Sequence, residues 1–234
     1  SNKTIDIVSS SNKVFFPKII TSLLIKDQKN INRIKEIYEE KKFFAFVLNK
    51  QEEKSKNLKD NFYEIGIIAK VIKIFNFNEN SSNIIFQGFE KIKFTNIYEE
   101  NSKKKAHFEI LNDKKESFDD KKKKVVLETI KDFSKQLISI TNEFPLEFKS
   151  IIDNIDSLNF LIYFLATNLS IDLSKKQKIL ESDSLKNRSK KLLKNIFELL
   201  NFAKIKKEIQ NKVQSEFSQN QREQLLKYHI KAIQ

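Results

Sequence analysis

Residues 112–124 read NDKKESFDDKKKK, a charged run in which Phe118 is the lone large apolar side chain. The texture of the chain changes across it. Upstream, apolar residues recur at every second position; downstream, at every third or fourth. Period 2 belongs to a half-buried strand and period 3.6 to an amphipathic helix. The run therefore reads as a solvated linker. It separates a β-rich part, residues 1–115, from a helical part, residues 116–234. The expected fold class is α+β: a small barrel-like β domain, then an all-α bundle.

In the β-rich part, YEIGIIAKVIKIF (63–75) alternates through Ile65, Ile67, Ala69 and Val71. NIIFQGFEKIKFTNIY (83–98) continues in the same style, and NFNENSSN (76–83) between them has the composition of a hairpin loop. Gly66 and Gly88, the two glycines of the chain, fall inside these runs, where glycine marks a bulge or a tight bend. KVFFPKIITSLLI (13–25), FFAFVL (43–48) and AHFEIL (106–111) read as further strands, with Pro17 confined to a strand start or an edge. Phe15, Phe44, Phe46, Phe86 and Phe94 are assigned to the barrel interior. One helix interrupts the strands, DQKNINRIKEIYEEK (27–41). Asp27 is its expected N-cap, and Ile31, Ile34, Ile37 and Tyr38 form its apolar face.

In the helical part, VVLETIKDFSKQLISI (125–140) has helical spacing. Pro145 belongs to the first turn of PLEFKSIIDNI. Asp156 or Ser157 caps LNFLIYFLATNL (158–169), and DLSKKQKILES (172–182) is a shorter helix. From Ser184 to Gln234 there is neither Gly nor Pro. One helix from about residue 185 to the end would be ~75 Å long. Its first half has a broad apolar face, including Leu192, Ile196 and Leu200. The face then narrows to Ile205, Ile209, Val213 and Phe217, one residue in four. Such a stripe is too thin to fold back on the bundle, so the second half is expected to project. The four-residue spacing also departs from the 3.5 period of a coiled coil.

Composition bounds the function. No run of ~18 apolar residues codes a membrane span. The N-terminus lacks a secretory-signal layout, and Ser1-Asn2 reads as a cloning remnant. There is no cysteine, hence no disulfide and no thiolate metal site. A cytoplasmic home follows as the expectation. The net charge of +13 invites a nucleic-acid reading. However, 41 of the 44 basic residues are lysines, the exceptions being Arg33, Arg188 and Arg222. The charge is also even: 22 basic against 16 acidic residues in 1–116, and 22 against 15 in 117–234. Diffuse charge of this kind gives weak, non-specific binding at most. A nucleic-acid-binding module of the small-barrel type is the alternative reading.

Catalytic chemistry is not legible. No Gly-x-x-x-x-Gly-Lys-Ser/Thr string is present to cradle ATP, and no serine stands in a nucleophile context. His107 and His229, the two histidines, read as bystanders. The chain is expected to have no catalytic, metal or cofactor site of its own. Its chemistry is binding, and the narrow stripe supplies the candidate residues: Ile209, Val213 and Phe217, as a contact to a substrate or to another protomer.

The order of elements and several strings resemble the N-terminal region of Lon, the ATP-dependent serine protease of the AAA+ class. KVFFPKII, YEIGIIAKVIKI and IIFQGFEKIKF resemble successive strands of that family. EIQNKVQSEFSQNQREQLLKYHIKAIQ resembles the segment leading into its ATPase module, with Gln221-Arg222-Glu223 and Lys231 to Gln234 as the matching positions. The family's opening Leu-Pro-Leu-Arg is missing, and Gln224-Leu225-Leu226 stand where it has Tyr-Tyr-Leu, which marks a divergent member. The resemblance implies a PUA-like barrel and a chain ending just before the ATPase module. It implies that the whole protein is a cytoplasmic, homohexameric endopeptidase using ATP and Mg in protein quality control and the stress response. Its partners would be unfolded or misfolded proteins and its own protomers.

Overall fold

A computed structural model describes residues 3–50, 55–78, 80–116 and 118–234. Six strands come first: β1 (Lys3–Ser10), β2 (Ile20–Ile25), β3 (Phe44–Leu48), β4 (Ile65–Asn78), β5 (Ser81–Glu100) and β6 (Lys103–Ile110). Helix α1 (Gln28–Glu39) lies between β2 and β3. After β6 come α2 (Asp120–Ile140), α3 (Glu147–Asp153), α4 (Leu158–Asn168), α5 (Leu173–Leu180) and α6 (Leu185–Ile233). This is the α+β order the periodicities predict.

The strands lie in the order β2-β5-β4-β3-β1-β6, and β5 pairs again with β6. Five strands thus close into a ring, with β2 attached outside it along β5. The twenty residues of β5 make closure possible. Its first part, Ser82 to Gln87, pairs with β2; its last part, Ile92 to Glu100, pairs with β6. β1 and β3 are parallel, and the other ladders are antiparallel.

Strand β3 is buried on both faces and separates two packed clusters. Ala45 and Val47 join Ile5, Ile7, Ile92, Phe94, Ile97 and Ala106. Phe44 and Phe46 join Phe15, Ile84, Phe86 and the α1 residues Ile31, Ile34 and Ile37. The assignment of Phe15, Phe44, Phe46, Phe86 and Phe94 to one interior is corrected accordingly. Successive residues of a strand face opposite ways, so Phe44 and Phe46 cannot share a side with Ala45. Phe94 sits in the first cluster and the other four in the second. The second cluster runs on into the helices, where Phe16 meets Tyr163 with ring centroids 5.7 Å apart.

Other local expectations change. Residues 13–19 are not a strand; β2 begins at Ile20. Val14, Phe15, Phe16 and Pro17 are buried in succession, so these side chains do not alternate with solvent-facing ones. β1 was not anticipated. Tyr38 faces solvent, leaving three isoleucines as the buried face of α1. The β4–β5 turn is shorter than 76–83, since the strands run to Asn78 and from Ser81. Helix α2 starts at Asp120, with the Asp119 side chain accepting from the Lys122 N–H at 2.8 Å, so the charged run is partly its first turn. Ser117 of that run, like Glu79 of the turn, lies outside the described residues.

Both glycines sit where the chain comes too close for a side chain. A Cβ on Gly66 would stand 2.1 Å from the Phe46 carbonyl oxygen, and one on Gly88 would stand 2.3 Å from that of Phe16. Between their pairing positions the β4–β5 register shifts at a bulge, from Ile67 to Ala69. At the outer strand, Lys13 Nζ donates to the Ser22 carbonyl at 2.6 Å.

Candidate functional site

Two apolar surfaces face solvent. The first is a groove of about 740 Å³ on the barrel, floored by Ile5, Phe43, Ile68, Phe89 and Phe108. Phe43 precedes β3, and Phe89 follows Gly88 on β5. Their rings meet edge-to-face, with centroids 5.4 Å apart, and Phe43 is 49% exposed. Lys70 Nζ lies 5.4 Å from the centre of the Phe43 ring.

The rim is charged in both signs: Lys3, Asp6, Lys42, Glu90 and Lys105. Asp6 is held by Arg33. The Glu40 carboxylate accepts from Lys42 and holds that ammonium above its ordinary range, as Glu100 does for Lys105. Both cations therefore stay charged at any physiological pH. An aromatic floor with a charged rim can seat an apolar side chain while the surrounding surface remains hydrated.

The second surface is the free part of α6. Ser184 caps this helix, its hydroxyl accepting from the Asn187 N–H at 3.2 Å. Leu192, Ile196, Leu200 and Ala203 pack into the bundle. From Lys204 to Gln234 every residue is exposed. Ile209, Val213 and Phe217 are 58%, 59% and 62% exposed. The structure places these three predicted residues on one projecting stripe, well separated in the chain from the groove. At 3.6 residues per turn, each four-residue step carries the stripe ~40° around the helix. From Ile205 to Phe217 it therefore drifts by ~120°. A partner following it must wrap in the right-handed sense, because the spacing exceeds 3.6. Beyond Phe217 the polar stretch Ser218 to Gln224 intervenes, and a second exposed group follows: Leu225, Leu226, Tyr228, Ile230 and Ile233.

Neither histidine enters the groove floor or the Ile205–Phe217 stripe. His107 lies against Thr4 and Tyr98, and His229 lies beside Tyr228 on the projecting helix. Among the described residues, no group of three His, Asp or Glu side chains is placed to hold a metal ion, and no helix is long and apolar enough to cross a membrane.

The groove was missed in the sequence, although a signal for it exists. Phe43 and Phe44 are adjacent in a strand-like run, so if one faces the core the other faces away.

The comparisons with known proteins follow this geometry. Residues 4–196 match the family model of the ATP-dependent protease La (LON) substrate-binding domain. The chain belongs to that family. A Lon protease of Amoebophilus asiaticus (strain 5a2) is 32% identical over 231 residues, covering 99% of this chain and 28% of the relative. A Lon protease of Cytophaga hutchinsonii is 27% identical over 223 residues, covering 95% of this chain and 27% of the relative. The chain thus spans between a quarter and a third of the length of these relatives. Among solved structures, the N-terminal domain of a Mycobacterium avium complex Lon protease superposes with a TM-score of 0.63 at 11% identity, over 83% of this chain and 98% of that one. A Lon N-terminal domain protein from Xanthomonas campestris gives 0.57 at 10% identity, over 82% of this chain and 97% of that one. At such identities the likeness shows the fold. The Lon family match contains the groove but for Lys3 and ends at residue 196, before α6 leaves the bundle.

One charge at the seam of this Lon domain has a measurable consequence. Burial, helped by the nearby charge of Lys13, pushes the Lys176 ammonium from 10.5 down to about 8. Lys176 Nζ donates to the Thr167 carbonyl at 3.2 Å. Below pH 8 both folded and unfolded chains carry this proton, and the folded chain bears the full penalty of burying it. Between about 8 and ~10.4, the ordinary lysine value, the folded chain has released the proton while the unfolded chain keeps it. This group therefore makes stability rise with pH across that window. The parent domain should gain on a Lys176→Met variant when thermal midpoints are compared at pH 7.5 and pH 10. A difference that stays constant between the two pH values would show that Lys176 titrates as an ordinary surface lysine.

Proposed function

We propose that the barrel groove is where this domain takes apolar and aromatic segments of unfolded protein chains. We propose also that Ile209, Val213 and Phe217 are covered by another copy of the chain. The observation that carries the first part is the aromatic floor of Phe43, Phe89 and Phe108, which is open to solvent inside the region matching a substrate-binding family. The stripe lies outside that matched region, which favours protomer contact over substrate contact for its residues. In this reading the whole protein is an ATP-dependent serine endopeptidase, assembled as a cytoplasmic hexamer and acting in protein quality control.

The catalytic parts of that protein would lie beyond these 234 residues. A phosphate cradle needs glycines whose amides are free to face a ligand. The space beside Gly66 and Gly88 is filled by the domain's own Phe46 and Phe16 carbonyls. In this reading ATP and Mg act on those other parts, and no step of their chemistry is assigned to this chain.

The test is binding of a reduced, carboxymethylated protein that cannot refold, measured on the domain itself. The double variant Phe43→Ser/Phe89→Ser should bind it at least ~10-fold more weakly. Seating an apolar side chain is worth ~1.5–3 kcal/mol, and each 1.4 kcal/mol is about tenfold. Unchanged affinity in a variant with the parent's thermal midpoint would remove the groove from the function.

A further inference from the structure

The barrel and the helices meet at a charged cluster whose two cations, Arg188 and Lys91, are buried, while the carboxylate between them, Asp113, is 35% exposed. Arg188, the fourth residue of α6, has no exposed surface. Its guanidinium donates to both oxygens of Asp113, at 3.1 and 2.5 Å, to Asn159 Oδ1 at 2.8 Å and to the Ser182 carbonyl at 3.2 Å. It lies 5.1 Å from the centre of the Tyr163 ring, which itself packs on Phe16. From the barrel side, Lys91 of β5 donates to the same Ser182 carbonyl at 2.7 Å and stands 3.6 Å from Asp113.

The segment carrying Asp113 is pinned on both sides. The Leu111 N–H donates to the Lys91 carbonyl at 2.9 Å, and the Lys114 N–H donates to the Asp183 carbonyl at 2.7 Å. A separate tie runs from Gln177 Nε2 of α5 to the Ile65 carbonyl of β4, at 3.0 Å.

These bonds join β5, the connecting segment, α4, the α5–α6 corner and the first turn of α6 at one point. Burial alone would raise the Asp113 carboxyl, but the hydrogen bonds and charge of Arg188 outweigh it and hold the group below the usual carboxylate range. The carboxylate stays ionised and keeps both cations in place. Packed side chains allow some sliding, whereas a guanidinium fork with fixed acceptors sets direction.

We infer that the Arg188–Asp113–Lys91 cluster is a rigid joint that fixes the direction in which α6 leaves the barrel. The projecting helix then acts as a lever. Its far end lies ~68 Å from Arg188, so a ~5° rotation at the joint displaces the tip by ~6 Å. Motion of the barrel is delivered to the helix tip rather than absorbed at the seam. Arg188 is a positioning residue.

The chain has no cysteine, so Thr95→Cys on the barrel and Gln214→Cys on α6 supply the two labelling sites needed for pulsed electron-spin distance measurement. The parent should give one narrow distance distribution. Arg188→Met should at least double its width, and Asp113→Asn should widen it by a smaller factor. Lys175→Met, which removes the exposed α5–α6 pair with Glu198, should leave the width unchanged. An unchanged width in folded Arg188→Met overturns the inference. If Arg188→Met does not fold, Asp113→Asn decides alone, and an unchanged width there overturns it equally.

Discussion

Gly66→Ala should lower the thermal midpoint of the domain by about 6–12 °C. A methyl group at this position would stand 2.1 Å from the Phe46 carbonyl oxygen and 2.9 Å from the edge of the Phe94 ring. The first obstacle is backbone in a strand buried on both faces, so it cannot turn aside as a flexible side chain could. Phe94 is itself fully buried. Relief requires β3 and β4 to separate at their ladder, and Phe94 to shift as well. Overpacking of this kind costs about 3 kcal/mol, and a domain of this size loses about 2–4 °C per kcal/mol. Gly88→Ala should be milder. The backbone that it meets, at Phe16, belongs to an irregular segment, and its other close neighbour is the end of the Ile67 side chain at 2.8 Å. Scanning calorimetry of both variants checks the order. A Gly66→Ala midpoint within 2 °C of the parent would contradict the close approach of β3 and β4.

Phe217→Glu should have the opposite profile. Phe217 is exposed, and no residue beyond Ala203 is buried. The isolated domain should therefore keep its thermal midpoint within about 1 °C, as surface changes do. In the full-length protein, the proposed function places a carboxylate in a protomer contact, where an unpaired charge costs several kcal/mol. Degradation of an unfolded protein should fall at least ~10-fold, while basal ATPase and cleavage of short peptides fall much less. Loss of the folded state in the isolated domain would show that the stripe is core. Full proteolysis by the variant would release the stripe from any contact.

The parts of the fold that were legible in the sequence owe their structure to local patterning. β4 and β5 alternate, α1 repeats isoleucine at 31, 34 and 37, and α6 has a cap at Ser184 and no breaker after it. What escaped depends on non-local partners. β1 owes its burial to pairing with β3, some forty residues away, and with β6, about a hundred residues away. Residues 14–17 are buried in succession, which erases the alternation there. The groove escaped because its phenylalanines, Phe43, Phe89 and Phe108, come together from separate parts of the sheet. Arg188 looks like one more cation in a lysine-rich helix. Its one distinction in the sequence is to be an arginine, the side chain that can satisfy several acceptors at once from inside a core.

Closure of the ring through β5 and β6 leaves β2 as the strand at the margin of the sheet. An open margin invites sticky, extended chains to add themselves strand by strand, the route by which β proteins polymerise. Here the Ser22 carbonyl already holds the ammonium of Lys13. A foreign strand would have to evict that cation and strip its remaining water before pairing. A domain that, in the proposed function, takes unfolded chains can thus meet them on its side-chain surfaces while its own backbone is guarded against joining them in an aggregate.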